Sequence, residues 1–217
     1  MRMRPPTTPL AIQIGGFIDV EPTSPIVTST VETSVAQAVG NHVYFYSDVE
    51  SDTTLELIKR LRELDGQLHQ ERFVRGLPED YPRIPIWLHI QSDGGQVHAA
   101  FGLVDQMQLL WSPIRTIIEG YAASAASIIS MAGTLRYITP NSHILIHEAQ
   151  TFFWGKHSQL EDEMKVMNDY QAQLEQFYKK HSGLSLTVIR DMLKRDTWIT
   201  AQEALEHGMV DDILGGA

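Results

Sequence analysis

The sequence of 217 residues contains no cysteine and few basic side chains. The absence of cysteine excludes disulfide bonds, thiolate metal ligands and a cysteine nucleophile. There are 17 Lys and Arg residues against 27 Asp and Glu, so the net charge is 17 − 27 = −10 with histidine neutral. We therefore expect no nucleic-acid partner, because few cations are available to neutralise phosphates.

The sequence also lacks a long hydrophobic run. The longest weakly polar run, residues 120–135, is rich in Ala and Ser, and it is shorter than the roughly 20 apolar residues that span a bilayer. At the N-terminus, Pro5 and Pro6 follow Arg2 and Arg4 without the apolar stretch of a signal peptide. These features predict a cytoplasmic protein with no membrane partner.

The remaining composition is that of a globular protein, with 43% hydrophobic and 20% charged residues. Residues 1–38 are rich in Pro, Thr, Ser and Val. This composition predicts an irregular N-terminal arm. We expect residues 39–217 to form a single domain.

Strand and helix patterns alternate from residue 42 onwards. We expect strands at His42–Tyr46, Ile84–Ile90, Ile114–Ile118 and Ser142–His147, and helices that begin near residues 51, 97, 120, 158, 186 and 200. The polar stretch 65–83 contains two glycines and two prolines and predicts an exposed loop. The alternation predicts an α/β layered fold of repeated strand-helix units.

Two segments combine a strand end, small residues and a helix start, an arrangement that leaves backbone N–H groups without partners. In residues 93–95 (Asp-Gly-Gly), adjacent glycines let a substrate approach the main chain, although a simple turn explains them equally well. In residues 120–127, Ser124 is a candidate nucleophile whose following N–H would stabilise an oxyanion. Close helix packing is the alternative explanation of that segment.

His147 ends an alternating strand and is a candidate general base, because an ordinary histidine titrates near neutrality. Asp196 precedes Trp198 and Ile199, which suggest partial burial, and a buried carboxylate can orient a histidine. His143 and His147 would lie about 13 Å apart on a strand, too far to share one ion. We expect no metal and no cofactor.

Taken in order, these segments resemble the proteolytic subunit of the Clp protease, the ClpP family. The resemblance rests on Gly94-Gly95, Gly120-Tyr121-Ala122-Ala123-Ser124, Pro140-Asn141-Ser142 running to Ile146-His147, Arg195-Asp196, and the run from Glu203 to Asp211. It covers roughly residues 42–214. Several linked motifs at matching intervals are more specific than any one of them.

The resemblance implies a serine endopeptidase that hydrolyses unfolded proteins or peptides. Ser124 falls at the family's nucleophile, His147 at its base and Asp196 at its orienting acid. Gly95 and Ala125 fall at the positions whose backbone N–H groups form the oxyanion hole.

The resemblance further implies heptameric rings, stacked in pairs into a tetradecamer and fed by an AAA+ unfoldase. The segment 148–182 would form the protruding handle through which rings meet. The implied docking pocket for the unfoldase comprises Trp87, Leu109, Ile117, Tyr137 and Leu214, with His89 where a tyrosine is common.

Three features depart from the family pattern. Asp93 replaces the usual proline and places a carboxylate near the substrate groove, where we expect it to alter peptide preference. Residues 148–154 are bulkier than the family's glycine-rich strand. Lys194 reverses a charge at the expected contact between rings.

Three alternative functions stay open. A non-catalytic ring subunit would keep the fold and only supply architecture, although all three triad residue types are present. A crotonase-type acyl-thioester enzyme also holds an oxyanion with paired N–H groups. A specialised maturation protease would work without an ATPase.

Overall fold

The structure is a mixed β-sheet with helices packed against it, seen in a computed structural model that describes residues 35–215. The strands are β1 Ala36–Val39, β2 His42–Phe45, β3 Ile86–Ser92, β4 Ile114–Ala123, β5 Leu135–Ile138, β6 His143–Ile146, β7 Thr197–Thr200 and β8 Asp212–Ile213. The helices are α1 Ser51–Val74, α2 Val97–Gln108, α3 Ala125–Met131, α4 His157–His181, α5 Leu186–Lys194 and α6 Ala201–Glu206. The predicted α/β class is confirmed, whereas most of the predicted arm lies outside the described residues.

The sheet forks at β4, its longest strand. The strand order is β1-β2-β3-β4-β5-β8, and β6 also pairs with β4. Residues 115–118 of β4 pair with β5, and residues 121–123 pair with β6. Strand β7 then runs antiparallel to β6. One ten-residue strand therefore holds two branches of the sheet.

The face of the sheet that is turned towards the helices forms the core. Alternate side chains of β2 and β3 are completely buried there: Val43, Phe45, Ile86, Leu88 and Ile90. Helices α1 to α3 contribute Leu57, Leu61, Leu103 and Ile128 to the same cluster. Burying each such side chain contributes about 1.5–3 kcal/mol of hydrophobic free energy. This layer fixes the register of the strands that lead to the candidate site.

Two predicted element boundaries are wrong. Helix α1 continues to Val74 through residues expected to be a loop, because Leu64 and Leu68 stay buried on its inner side. Their burial outweighs the cost of about 1 kcal/mol for glycine inside a helix. Strand β4 continues to Ala123, where a helix was expected from Gly120. Pairing with β6 satisfies the backbone there and delays α3 to Ala125.

The long helix predicted from residue 158 is α4, and it begins at His157 with Lys156 as N-cap. The expected capping pair of Ser158 and Glu161 is wrong, because Gln159 Oε1 accepts the Lys156 N–H at 2.9 Å instead.

The predicted start of α6 is confirmed by reciprocal hydrogen bonds between Thr200 and Glu203. Of the helices within residues 35–215, none has the length and apolar character needed to cross a bilayer.

An ion pair joins β5 to the segment that precedes β8. Arg136 Nη2 lies 2.6 Å from Asp211 Oδ1, and the Arg136 backbone N–H donates to Asp211 Oδ2 at 2.8 Å. Arg136 Nη1 also donates to the His181 carbonyl at 2.6 Å. These hydrogen bonds from Arg136 hold the pKa of the Asp211 carboxyl below its ordinary value. The cluster ties β5, the end of α4 and the segment before β8 together.

Replacing Asp211 with Asn should lower the free energy of unfolding by about 1–2 kcal/mol, because a charge-assisted pair is lost. A carboxyl with a lowered folded-state pKa contributes stability that is present above its unfolded pKa and lost as pH falls through the folded pKa. The difference between wild type and Asp211→Asn should thus be constant above about pH 5 and shrink below about pH 4. Urea unfolding at fixed protein concentration measures it. Asp212→Asn is the control, and an equal effect of both variants would contradict the assignment.

Candidate active site

Ser124 occupies a strained turn between β4 and α3. Its backbone has φ 53° and ψ −124°, a region that residues other than glycine adopt at a cost of order 1–3 kcal/mol. The Ser124 N–H donates to the Leu145 carbonyl at 2.9 Å, which extends the pairing of β4 with β6 by one residue. The hydroxyl of Ser124 makes no hydrogen bond within residues 35–215, and it does not cap α3. The turn therefore presents the half-buried Ser124 with a hydroxyl that is available to react.

The glycine turn after β3 lies directly against Ser124. Gly94 has φ 94° and Gly95 has φ 143°, both in the region that favours glycine. A Cβ on Gly94 would lie 2.5 Å from the Ala123 carbonyl oxygen and 2.7 Å from Ser124 Cβ. Val49 holds the turn from its other side, since its N–H donates to the Gly94 carbonyl at 2.7 Å. The two segments singled out in the sequence thus meet in the structure.

Two backbone N–H groups are available where these segments meet. The N–H groups of Gly95 and Ala125 donate no hydrogen bond to any residue in the described part of the chain. Ala125 is the first residue of α3, and the first N–H groups of a helix have no partner within it. Ala125 directly follows Ser124, and Gly95 follows the glycine that touches it. This arrangement suits an oxygen atom that gains negative charge.

The sheet brings His147 and Asp196 to the same edge. Strand β6 pairs Leu145 with Ala123 of β4, and His147 follows two residues later. Strand β7 begins at Thr197, which pairs with Ile146. Asp196 therefore precedes β7 at the level where His147 follows β6. Asp196 has φ 49°, a positive value like that of Ser124, which residues other than glycine rarely adopt.

Hydrogen bonds do not link the three side chains. His147 Nδ1 lies 2.6 Å from the Glu148 carbonyl oxygen. Because a carbonyl only accepts, Nδ1 carries the proton and Nε2 keeps its lone pair when the ring is neutral. Within residues 35–215, no hydrogen bond joins His147 to Ser124 or to Asp196. The expected partial burial of Asp196 is wrong, since Asp196 is exposed and Trp198 beside it is 54% exposed.

Tyr121 adds a polar aromatic group beside the glycine turn. The sequence analysis gave this residue no role. Desolvation and then the nearby Asp93 carboxylate raise the pKa of the Tyr121 hydroxyl. Its ring lies 6.4 Å from that of Trp198. Asp93, the residue that departs from the family pattern, therefore faces this tyrosine.

Four of the implied docking residues, Trp87, His89, Ile117 and Tyr137, share one face of the sheet, opposite the core. The Trp87 and Tyr137 rings lie 5.5 Å apart, and the Arg115 guanidinium lies 5.1 Å above the Trp87 ring. His89 is 7% exposed, and its Nδ1 lies 2.8 Å from Glu119 Oε1. Ile117 is buried beside them, at 4% exposure. The aromatic surface thus contains a hydrogen-bonded pair, His89 and Glu119.

His42 continues that hydrogen-bonded chain. Its Nδ1 lies 2.9 Å from His89 Nε2, and Tyr46 donates to Glu119 at the other end. Desolvation, followed by the neighbouring His89, lowers the pKa of His42. Leu109 does not belong to this series of hydrogen bonds. It lies at the end of α2 and is 73% exposed.

The geometry defines a class of protein. A serine at a strained strand-to-helix turn, two unpaired backbone N–H groups and a His and Asp on adjoining strands are the parts of a serine hydrolase. Within the described residues, no group of three His, Asp or Glu side chains is arranged to hold a metal ion.

The comparison with protein families identifies which hydrolase this is. The family model described as Clp protease matches residues 40–217. The chain therefore belongs to the Clp protease family and is a serine-type peptidase of that family. The resemblance inferred from the linked sequence motifs is confirmed.

Three curated relatives illustrate the similarity. The chain is 34% identical over 175 residues to the ATP-dependent Clp protease proteolytic subunit 1 of Protochlamydia amoebophila (strain UWE25), covering 78% of this chain and 79% of the relative. It is 36% identical over 139 residues to subunit 2 of Tropheryma whipplei (strain Twist), covering 63% and 77%. It is 36% identical over 135 residues to the subunit of Porphyromonas gingivalis (strain ATCC BAA-308 / W83), covering 61% of each.

Replacing Gly94 with Ala should destabilise the protein through a clash with the backbone of the Ser124 turn. Gly40 offers a matched control, because it also has a positive φ, 62°, but a Cβ there would meet nothing within 4 Å. Both variants carry the cost of a left-handed alanine. We expect Gly94→Ala to lower the free energy of unfolding by about 1–3 kcal/mol more than Gly40→Ala does. Equal losses in urea unfolding would show that the close approach to Ser124 is not a constraint.

Proposed function

We propose that the protein hydrolyses peptide bonds with Ser124 as nucleophile, His147 as general base and Asp196 as the acid that orients His147. Gly95 and Ala125 form the oxyanion hole in this proposal. The observation that carries it is the contact of the glycine turn with Ser124, which leaves two unpaired N–H groups beside one free hydroxyl.

The proposed reaction uses these groups in two steps. His147 Nε2 takes the proton of the Ser124 hydroxyl while Oγ attacks the scissile carbonyl, and the Gly95 and Ala125 N–H groups hold the oxyanion. His147 then gives the proton to the leaving amine, and water releases the acyl-enzyme through the same base. Loss of one oxyanion donor would cost roughly 10²–10³ in kcat.

The triad requires one rearrangement to become complete. The His147 Nδ1–H donates to the Glu148 carbonyl in the single chain, and in the proposed active state it donates to Asp196. Catalytic hydrogen bonds often form only in the complex with substrate. The exposed position of Asp196 and the neighbouring start of β7 leave that carboxylate close to the end of β6.

We also propose the family's assembly for this chain: a single peptidase domain over residues 39–217, preceded by the arm 1–38, in heptameric rings that stack into a tetradecamer. The handle would comprise residues 148–182, and three large apolar side chains in its first half are exposed in the single chain. Phe152 is 97% exposed, Trp154 91% and Met164 58%. Exposed apolar patches of this kind mark surfaces of association.

An AAA+ unfoldase is the proposed partner, and the aromatic face around Trp87 and Tyr137 is its proposed docking surface. The named relatives are subunits of ATP-dependent proteases. Unfolded proteins or peptides would be the substrates, and the cytoplasm would be the location. Both assignments rest on membership of the family.

A non-catalytic ring subunit is the second candidate. The specific observation in its favour is that His147 bonds to its own neighbour's carbonyl and not to Ser124 or Asp196. Reactivity of Ser124 distinguishes the two, because a scaffold needs no activated serine.

A fluorophosphonate should add once per chain to the purified, assembled protein, because only an activated serine reacts quickly. Ser124→Ala should abolish both this adduct and peptide cleavage and leave assembly unchanged. Ser158→Ala, at an exposed position on α4, is the matched control and should label fully. Intact-mass measurement reads the adduct.

The outcomes separate the candidates. Labelling of Ser124→Ala at the wild-type rate would overturn the nucleophile assignment. An assembled wild type that stays unlabelled under conditions that label an active serine protease would favour the scaffold.

A further inference from the structure

A buried pair of hydroxyls connects the Ser124 turn to the handle helix. Ser127, which is completely buried, donates its Oγ–H to the Ser124 carbonyl oxygen at 2.6 Å. The Tyr178 hydroxyl of α4 lies 2.7 Å from Ser127 Oγ. A serine hydroxyl has one proton, and the carbonyl receives it, so Tyr178 is the donor to Ser127. Burial raises the pKa of Tyr178 to about 12, which keeps that donor protonated.

The carbonyl that Ser127 holds belongs to the same peptide unit as the Ala125 N–H. A trans peptide is planar and rigid, so its C=O and N–H point in opposite directions. The Ser127 N–H donates to the same carbonyl at 3.0 Å. Two hydrogen bonds from one residue thus fix the direction of the Ser124 carbonyl and, through the peptide plane, of the Ala125 N–H.

The backbone of Ser124 needs such support. A strained left-handed conformation persists only where the surroundings hold it, and Ser124 has φ 53° with no side-chain cap on α3. Burying a hydroxyl is costly unless it is hydrogen-bonded, and Ser127 and Tyr178 satisfy each other. Neighbouring contacts of α4 at this level come from the buried Leu174 and Phe177.

We propose that Ser127 and Tyr178 are positioning residues that aim the Ala125 N–H at the oxyanion. The inference rests on the proposed function, in which Ala125 is an oxyanion donor. Tyr178 lies three residues before His181, the last helical position of α4.

The test compares Ser127→Ala and Tyr178→Phe with Ser130→Ala in the assembled protein. Ser130 is a matched control, because it is 2% exposed on the same helix and donates its Oγ–H to the Ser127 carbonyl at 2.9 Å, not to Ser124. We expect Ser127→Ala to lower kcat for a peptide amide about tenfold with KM unchanged, since the lost alignment acts on the transition state. Tyr178→Phe should lower kcat about threefold, and Ser130→Ala less than twofold.

A second readout excludes a merely structural effect. The affinity for a peptide boronate, which mimics the tetrahedral state, should fall in step with kcat, while the substrate KM of Ser127→Ala matches that of Ser130→Ala. The double variant should resemble Ser127→Ala alone, because Tyr178 acts through Ser127. If Ser127→Ala does not fold, Tyr178→Phe carries the test with the ring volume preserved.

Failure has two separate forms. Ser127→Ala or Tyr178→Phe with wild-type kcat in an active enzyme, or an equal loss in Ser130→Ala, would overturn the positioning role and leave the proposed function standing. A wild type without Ser124-dependent reactivity would overturn the proposed function and the positioning role with it.

Discussion

The double pairing of strand β4 is the constraint on which the site depends. Its first half pairs with β5 and its second half with β6, so the strand reaches Ala123 while both branches stay bonded. On its other side, Ala122 pairs with Ser92 of β3 and brings the glycine turn beside Ser124. His147 and Asp196 reach the same edge only because β6 and β7 are attached to that second half. If β4 ended at Ile118, the glycine turn, the Ser124 turn, His147 and Asp196 would not be held at one edge of the sheet.

Sequence reasoning predicted features that depend on local chemistry and missed those that depend on distant partners. The start of α6 was predictable because Thr200 and Glu203 bond within one turn. Strands β1, β5 and β7 contain at most two consecutive apolar residues, whereas the equally short β2 and β6 contain three. Their structure therefore depends on pairing with neighbouring strands. The Ala-rich end of β4 has little strand propensity of its own, and its pairing with β6 decides its structure.

The same distinction holds for the site. Adjacent glycines predict a close backbone approach, and Gly94 makes one with Ser124. Asp196 was expected to be partly buried by Trp198, but in the described chain β7 pairs only with β6, and an edge strand leaves such side chains exposed. The contact of Ser127 with Tyr178 spans 51 positions of sequence. No spacing rule relates residues so far apart, so only the packed helix α4 reveals it.

The rigid and adjustable parts of the site differ in kind. The Ser124 turn, the glycine turn and the two free N–H groups are backbone features held by strand pairing, and their rearrangement would break the sheet. The proposed triad depends on side chains, and in it His147 would exchange one hydrogen-bond acceptor, the Glu148 carbonyl, for the Asp196 carboxylate. A hydrogen bond contributes a net 0.5–1.5 kcal/mol in typical cases and about 1.5–3 kcal/mol with a charged partner. By this measure the exchange is favourable once Asp196 is within reach of His147, and the proposed oxyanion donors, Gly95 and Ala125, keep their positions during it.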